Sequence, residues 1–149
     1  MTARNAAAFV SSILTLVACG GGAASPPAPT TERAACEASF VTPPGFERMD
    51  TFEEPYADRV GVRVGFRDGS GRELHAFAGI PGEFGEGLPD AGTVPLASGG
   101  TGHLSGGVHQ VWVLAWNEGG ICDPRVLLGS GFDRGSFLAT LEQAGVVAG

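Results

Sequence analysis

The amino-acid sequence predicts an α+β fold, a single small domain in which an antiparallel β-sheet of about five to seven strands carries one short C-terminal helix. Three observations predict it. Glycine supplies 25 of 149 residues, a frequency that disfavours long helices and favours strands joined by turns. The stretch VGVRVGF alternates Val60, Val62, Val64 and Phe66 with Gly61, Arg63 and Gly65, the two-residue period of a strand with one buried face. Near the C-terminus, Phe137, Leu138, Leu141 and Ala144 form an apolar stripe behind Asp133 or Ser136, either of which can cap a helix, and Gly145 ends it.

The remaining elements follow in chain order. Pro43-Pro44-Gly45 turns the chain into a short strand around Phe46 to Met49. Glu47, Asp50, Glu53, Glu54 and Asp58 form an acidic run that lacks a calcium-loop signature and reads as solvated surface. Arg67 to Gly71 is a turn, and Arg72 to Ile80 returns as a second strand, closing a hairpin with VGVRVGF. Pro81 to Pro95 reads as a Gly/Pro/acid loop, with a short strand over Val94 to Ala97. Gly99 to Gly107, GGTGHLSGG, reads as a turn flanking a short strand. It has neither the Lys nor the following helix of a phosphate-binding loop.

Val108 to Trp116 sets Val108, Trp112, Leu114 and Trp116 on one face and Val111, Val113 and Ala115 on the other. Apolar residues on both faces predict a central strand covered on both sides, and the two tryptophans read as core. Asn117 to Gly120 turns into a last strand over Ile121 to Gly129, where Pro124 marks an edge or a bulge.

The start of the chain has a different character. Arg4 and an apolar run from Ala6 to Ala18 make the charged and hydrophobic regions of a secretory signal. The run is shorter than the roughly 20 residues of a bilayer-spanning helix. It ends in Leu16-Val17-Ala18-Cys19, which resembles the lipobox of bacterial lipoproteins. That resemblance implies that Cys19 receives a diacylglyceryl group, that residues 1–18 are removed, and that further acylation such as palmitate anchors the protein. Two or three acyl chains hold firmly, at about 0.8 kcal/mol per buried methylene. Residues 19–35 read as the lipidated Cys19 and a tether without large apolar residues, expected to be disordered. Residues 36–149 form the domain.

Charge and cysteine content narrow the function classes. With 9 basic and 16 acidic residues the net charge is −7, which argues against nucleic acid and against docking through a basic patch. The absence of lysine excludes a P-loop lysine, a Schiff base or a Ser–Lys dyad. Of three cysteines, lipid takes Cys19, leaving Cys36 and Cys122 for one disulfide in an oxidising compartment. No CxxC and no His at ligand spacing accompany them, so no metal or cofactor is expected.

Catalytic candidates are sparse. His75, His103 and His109 are the three histidines, and a Ser105–His109–Asp123 constellation can be drawn, with His103 nearby. No G-x-S-x-G occurs, and no catalytic residue is assigned. The order Pro-Pro-Gly-Phe46, a Gly-interrupted strand, Val111 to Gly120, Leu127-Leu128-Gly129 and a short C-terminal helix resembles small extracytoplasmic domains found in sporulation lipoproteins and at the C-termini of anti-sigma factors. The resemblance implies an accessory or binding module. The expected partners are the membrane, through the anchor on Cys19, and an envelope protein or ligand in the periplasm or at the cell surface. An extracytoplasmic hydrolase needs Ser105, His103 and His109 within reach of one another. A carrier for lipid or another apolar ligand needs a large cavity between sheet and helix.

Overall fold

The computed structural model describes residues 30–149 apart from Ala57, Asp58, Pro81 and Glu83, and leaves aside the side chains of residues 30, 50 and 52–60. Cys19 and its lipobox therefore lie outside the described residues. The elements are α1 (Thr30–Ala38), β1 (Phe46–Tyr56), β2 (Arg59–Asp68), β3 (Glu73–Ala78), β4 (Asp90–Pro95), β5 (Thr101–Val108), β6 (Val111–Trp116), β7 (Arg125–Ser130) and α2 (Arg134–Gln143). The seven strands form one antiparallel sheet in the order β1-β2-β3-β7-β6-β5-β4. The fold is α+β, as predicted. Two meanders, β1 to β3 and β4 to β7, join where β3 pairs with β7.

Both helices lie on one face of this sheet. Strand alternation turns Val62, Val64 and Phe66 of β2, Leu74, Ala76 and Ala78 of β3, Leu127 of β7, and Trp112, Leu114 and Trp116 of β6 toward them. Cys36 and Phe40 close the core from the α1 side, and Phe132, Phe137 and Leu141 close it from the α2 side. Glycine at two positions makes room for large neighbours, one on α2 and one on the next strand. A Cβ on Gly129 would stand 2.7 Å from the Phe137 ring, and one on Gly102 would stand 2.7 Å from Leu114 Cδ1. Small residues here let the large ones seat at close-packed density. Trp112 donates its indole Nε1–H to the Phe132 carbonyl at 3.1 Å, so its one polar atom is satisfied on burial.

Several boundaries differ from expectation. Thr30 to Ala35, expected as tether, are the first turns of α1, held by the Cys36–Cys122 disulfide and by the Arg48 ion pair to Glu37. The acidic run from Glu47 lies on an eleven-residue edge strand, β1, interrupted by a bulge between Arg48 and Thr51. The Gly-rich stretch is mostly strand, because Gly102 and Gly106 face the bulky side chains of β6. His109 and Gln110, with φ 52° and 58°, make the two-residue turn between β5 and β6, the conformation that matches strand twist. Val108 therefore belongs to β5. Pro124 marks neither an edge nor a bulge: it precedes β7, a strand with neighbours on both sides. The residues of the two outer strands include Pro55 and Pro95, where a missing N–H is tolerated and discourages further pairing.

Candidate functional site

The same alternation that fills the core leaves a second set of side chains on the helix-free face. These are Arg63, Gly65 and Arg67 of β2, Glu73, His75 and Phe77 of β3, Val126, Leu128 and Ser130 of β7, Val111, Val113 and Ala115 of β6, and His103 and Ser105 of β5. The connection from β3 to β4 folds back over part of it. The Phe84 ring meets that of Phe77 at 4.6 Å between centroids, and the Gly106 N–H donates to the Pro89 carbonyl at 2.9 Å. Under this flap Val113, Val126 and Ser105 are buried, whereas Val111, Leu128 and His75 beyond it are partly open. The apolar second face of β6 predicted by its sequence is thus covered by a loop at Val113 and left partly open at Val111.

Beyond the flap lies a polar group of three side chains from two adjacent strands. Glu73 Oε1 accepts from Arg67 Nε at 2.9 Å and from the same guanidinium through Nη2, while Glu73 Oε2 lies 3.3 Å from His75 Nε2. The hydrogen bonds from Arg67 and then from His75 hold the Glu73 carboxyl below its ordinary range. His75 Nδ1 is buried and has no hydrogen-bond partner among the described residues. Met49 comes over Gly65 beside it.

The residues drawn together as a hydrolase do not assemble. His103 and Ser105 share a face of β5, but Ser105 is buried beneath the flap and His103 is exposed near Asp90, 3.8 Å from its Oδ1. His109 sits in the β5–β6 turn, and Asp123 lies past the far end of β6. Six residues of strand separate them, about 17 Å at the usual rise per residue. Asp123 is committed elsewhere. It accepts the backbone N–H groups of Glu118, Gly119 and Gly120 at 2.6–3.1 Å. Burial pushes its carboxyl up, but those bonds and the charge of Arg125 outweigh burial and hold it below the usual range. Arg125 also pairs with Glu118 at 3.0 Å, and Glu118 accepts from Trp116 Nε1 and Ser98 Oγ. This network fixes the loop that carries Cys122.

The predicted disulfide is present: Cys36 and Cys122 are bonded, with Cα atoms 5.3 Å apart. Trp112 and Trp116 are buried, each 7% exposed, and line the core rather than a groove. The Asp68 turn is closed by its own side chain, which accepts from Ser70 and Arg72, as the turn reading of Arg67 to Gly71 requires. Among the described residues no group of three or more His, Cys, Asp or Glu is placed to hold a metal ion. No described helix is long and apolar enough to cross a membrane.

Sequence reasoning named His75 only as a histidine and passed over Met49 and Glu73. The alternation of Leu74, Ala76 and Ala78 was signal enough to place Glu73, His75 and Phe77 on the other face. Met49 was not readable, because the bulge that places it leaves no mark in the residue pattern. No protein family, curated protein or solved structure matches the chain.

Proposed function

We propose that the protein is a cell-envelope lipoprotein, anchored by acyl chains on Cys19, whose domain serves outside the cytoplasm as a binding or accessory module. The observation that carries this reading is the cysteine pattern. Cys36 and Cys122 pair with each other, which leaves Cys19, at the end of a lipobox-like run, for the thioether bond. A disulfide inside a domain of this size favours an oxidising compartment. The second face of the sheet supports the binding role, since it presents Arg67, Glu73, His75 and Leu128 at the surface while the core is complete on the other side.

The anchor is tested by fractionation without detergent. The wild-type chain is expected in the membrane pellet, carrying the added mass of its acyl groups, and Cys19→Ser is expected in the soluble fraction. Retention of Cys19→Ser in the pellet argues against the anchor. For the module, cross-linking in intact envelopes followed by capture is expected to recover a partner that is lost in a Leu128→Asp variant. Recovery unchanged by that variant places the binding surface elsewhere.

A further inference from the structure

His75 combines three properties that together describe a metal ligand. Its Nδ1 is buried without a hydrogen-bond partner among the described residues. Its Nε2 lies 3.3 Å from Glu73 Oε2; in the tautomer with the proton on Nε2, that proton is donated to the carboxylate and the lone pair lies on Nδ1. Glu73 is itself fixed in place by Arg67, whose Nε donates to Glu73 Oε1 at 2.9 Å. A carboxylate on the outer nitrogen of an imidazole is the arrangement that orients metal-bound histidines and raises their basicity.

The methyl end of the Met49 thioether lies on the same side of Gly65 as His75 Nδ1. The Met49 Cε and His75 Nδ1 lie 2.7 and 3.5 Å from the point a Cβ on Gly65 would occupy. Glycine at 65 thus makes room for the Met49 side chain beside the ring. Methionine turns about three side-chain bonds, so the sulfur can swing toward the ring. The only other methionine is Met1, and both cysteines of the domain are tied in the disulfide, so no thiolate of the domain competes.

We propose that Met49 and His75 form a binding site for a soft monovalent cation of the Cu(I) or Ag(I) class, with His75 Nδ1 and the Met49 sulfur as ligands and Glu73 as the group that positions the imidazole. Thioether and imidazole donors select Cu(I) over hard cations, and a pair of neutral ligands suits a single positive charge. Calcium and magnesium need six or more oxygens, which this corner does not offer. The proposal is independent of the anchor on Cys19.

Silver ion is the probe, because it is redox-inert and leaves the disulfide alone. It is titrated into the detergent-solubilised full chain with Cys19→Ser, so that no thiol competes for silver, carrying ¹³C-methyl methionine and ¹⁵N histidine and followed by NMR. One equivalent is expected to shift the Met49 methyl and the His75 Nδ1 resonance together. Met49→Leu, which conserves volume and fold, is expected to weaken binding at least about tenfold, and Glu73→Gln is expected to do so by about tenfold through the ring. The site is overturned if Met49→Leu binds silver as wild type does, if His75 fails to shift with Met49, or if His103 or His109 shifts in its place.

Discussion

On the face that carries α1 and α2, the strands turn mostly apolar side chains and glycine toward the helices, and Leu104, Leu114, Phe137 and Leu141 are wholly buried. On the opposite face the same strands turn out Arg67, Glu73, His75 and Leu128, and cover comes from a loop that stops partway. The difference lies in what closes each side. Two helices, a disulfide and a stack of aromatic rings close the first, with Phe46 and Phe132 stacked at 6.2 Å and Phe137 edge-on to Phe132 at 5.7 Å. The second is closed by Phe84 resting on Phe77 and one backbone hydrogen bond from Gly106. Most of the buried apolar packing lies on one side, and polar side chains are left at the surface on the other.

Removing the disulfide tests this division most severely. It joins α1 to the β6–β7 loop across 86 residues of sequence, and a loop of that size stabilises by ~4–5 kcal/mol on the chain-entropy view. Cys36→Ser combined with Cys122→Ser is expected to lower stability in urea by about that amount, and reducing agent is expected to do the same to the wild-type protein. Unchanged unfolding midpoints would place the stability of the helical face in packing alone.

A matched pair of leucines compares the faces directly. Leu114 is fully buried beneath the helices, and Leu128, on the adjacent strand, is partly open on the other side. Leu114→Ala is expected to cost about 3 kcal/mol, within the range for buried leucines, and Leu128→Ala less than about half of that. Equal losses by chemical denaturation would mean that the second face is as well packed as the first.

The sequence shows the first face more readily than the second. Val62, Val64 and Phe66 announce β2, and Asp133 announces α2 by accepting the Ser136 N–H at 2.8 Å. These are local signals, set by period and by capping, and one chain segment suffices to read them. The β5 strand hides because its core positions hold Gly102 and Gly106, whose missing side chains are filled by Leu114 and Trp112 from the next strand. Helix α1 hides as well, since its nine residues include few apolar ones and it is fastened from outside by Cys122 and Arg48. The grouping of Met49, Glu73 and His75 depends on a bulge and on strand pairing, and no window of sequence contains it.

The turn between β2 and β3 supplies a pH test of the helical side. Asp68 accepts four hydrogen bonds, from Ser70 and Arg72, and Arg72 lies over the rings of Phe46 and Phe132 at 5.8 and 5.0 Å. Desolvation raises the Asp68 carboxyl, and the bonds from Ser70 and Arg72 outweigh it, so its pKa falls from 3.8 to about 2. A depressed folded-state pKa means that the stabilisation is complete above the unfolded value and is lost as pH falls through the folded one. The wild-type protein is therefore expected to lose stability progressively from about pH 4 to about pH 2, and Asp68→Asn to flatten that part of the profile. A profile in the variant parallel to wild type would assign acid lability to other carboxylates.

The smallest effect is expected on the open face, and its smallness is informative. Glu73 pairs with Arg67, whose side chain is 57% exposed, and exposed ion pairs contribute roughly 0.2–1 kcal/mol. Glu73→Gln is accordingly expected to change thermal stability by less than about 1 kcal/mol. The same substitution removes the carboxylate that lies 3.3 Å from His75 Nε2. If Glu73 serves only to pair with Arg67, silver affinity will stay constant while stability falls slightly. If it serves to position His75, affinity will fall by much more than stability does. The ratio of the two responses, measured on one variant, separates a surface ion pair from the supporting group of a binding site.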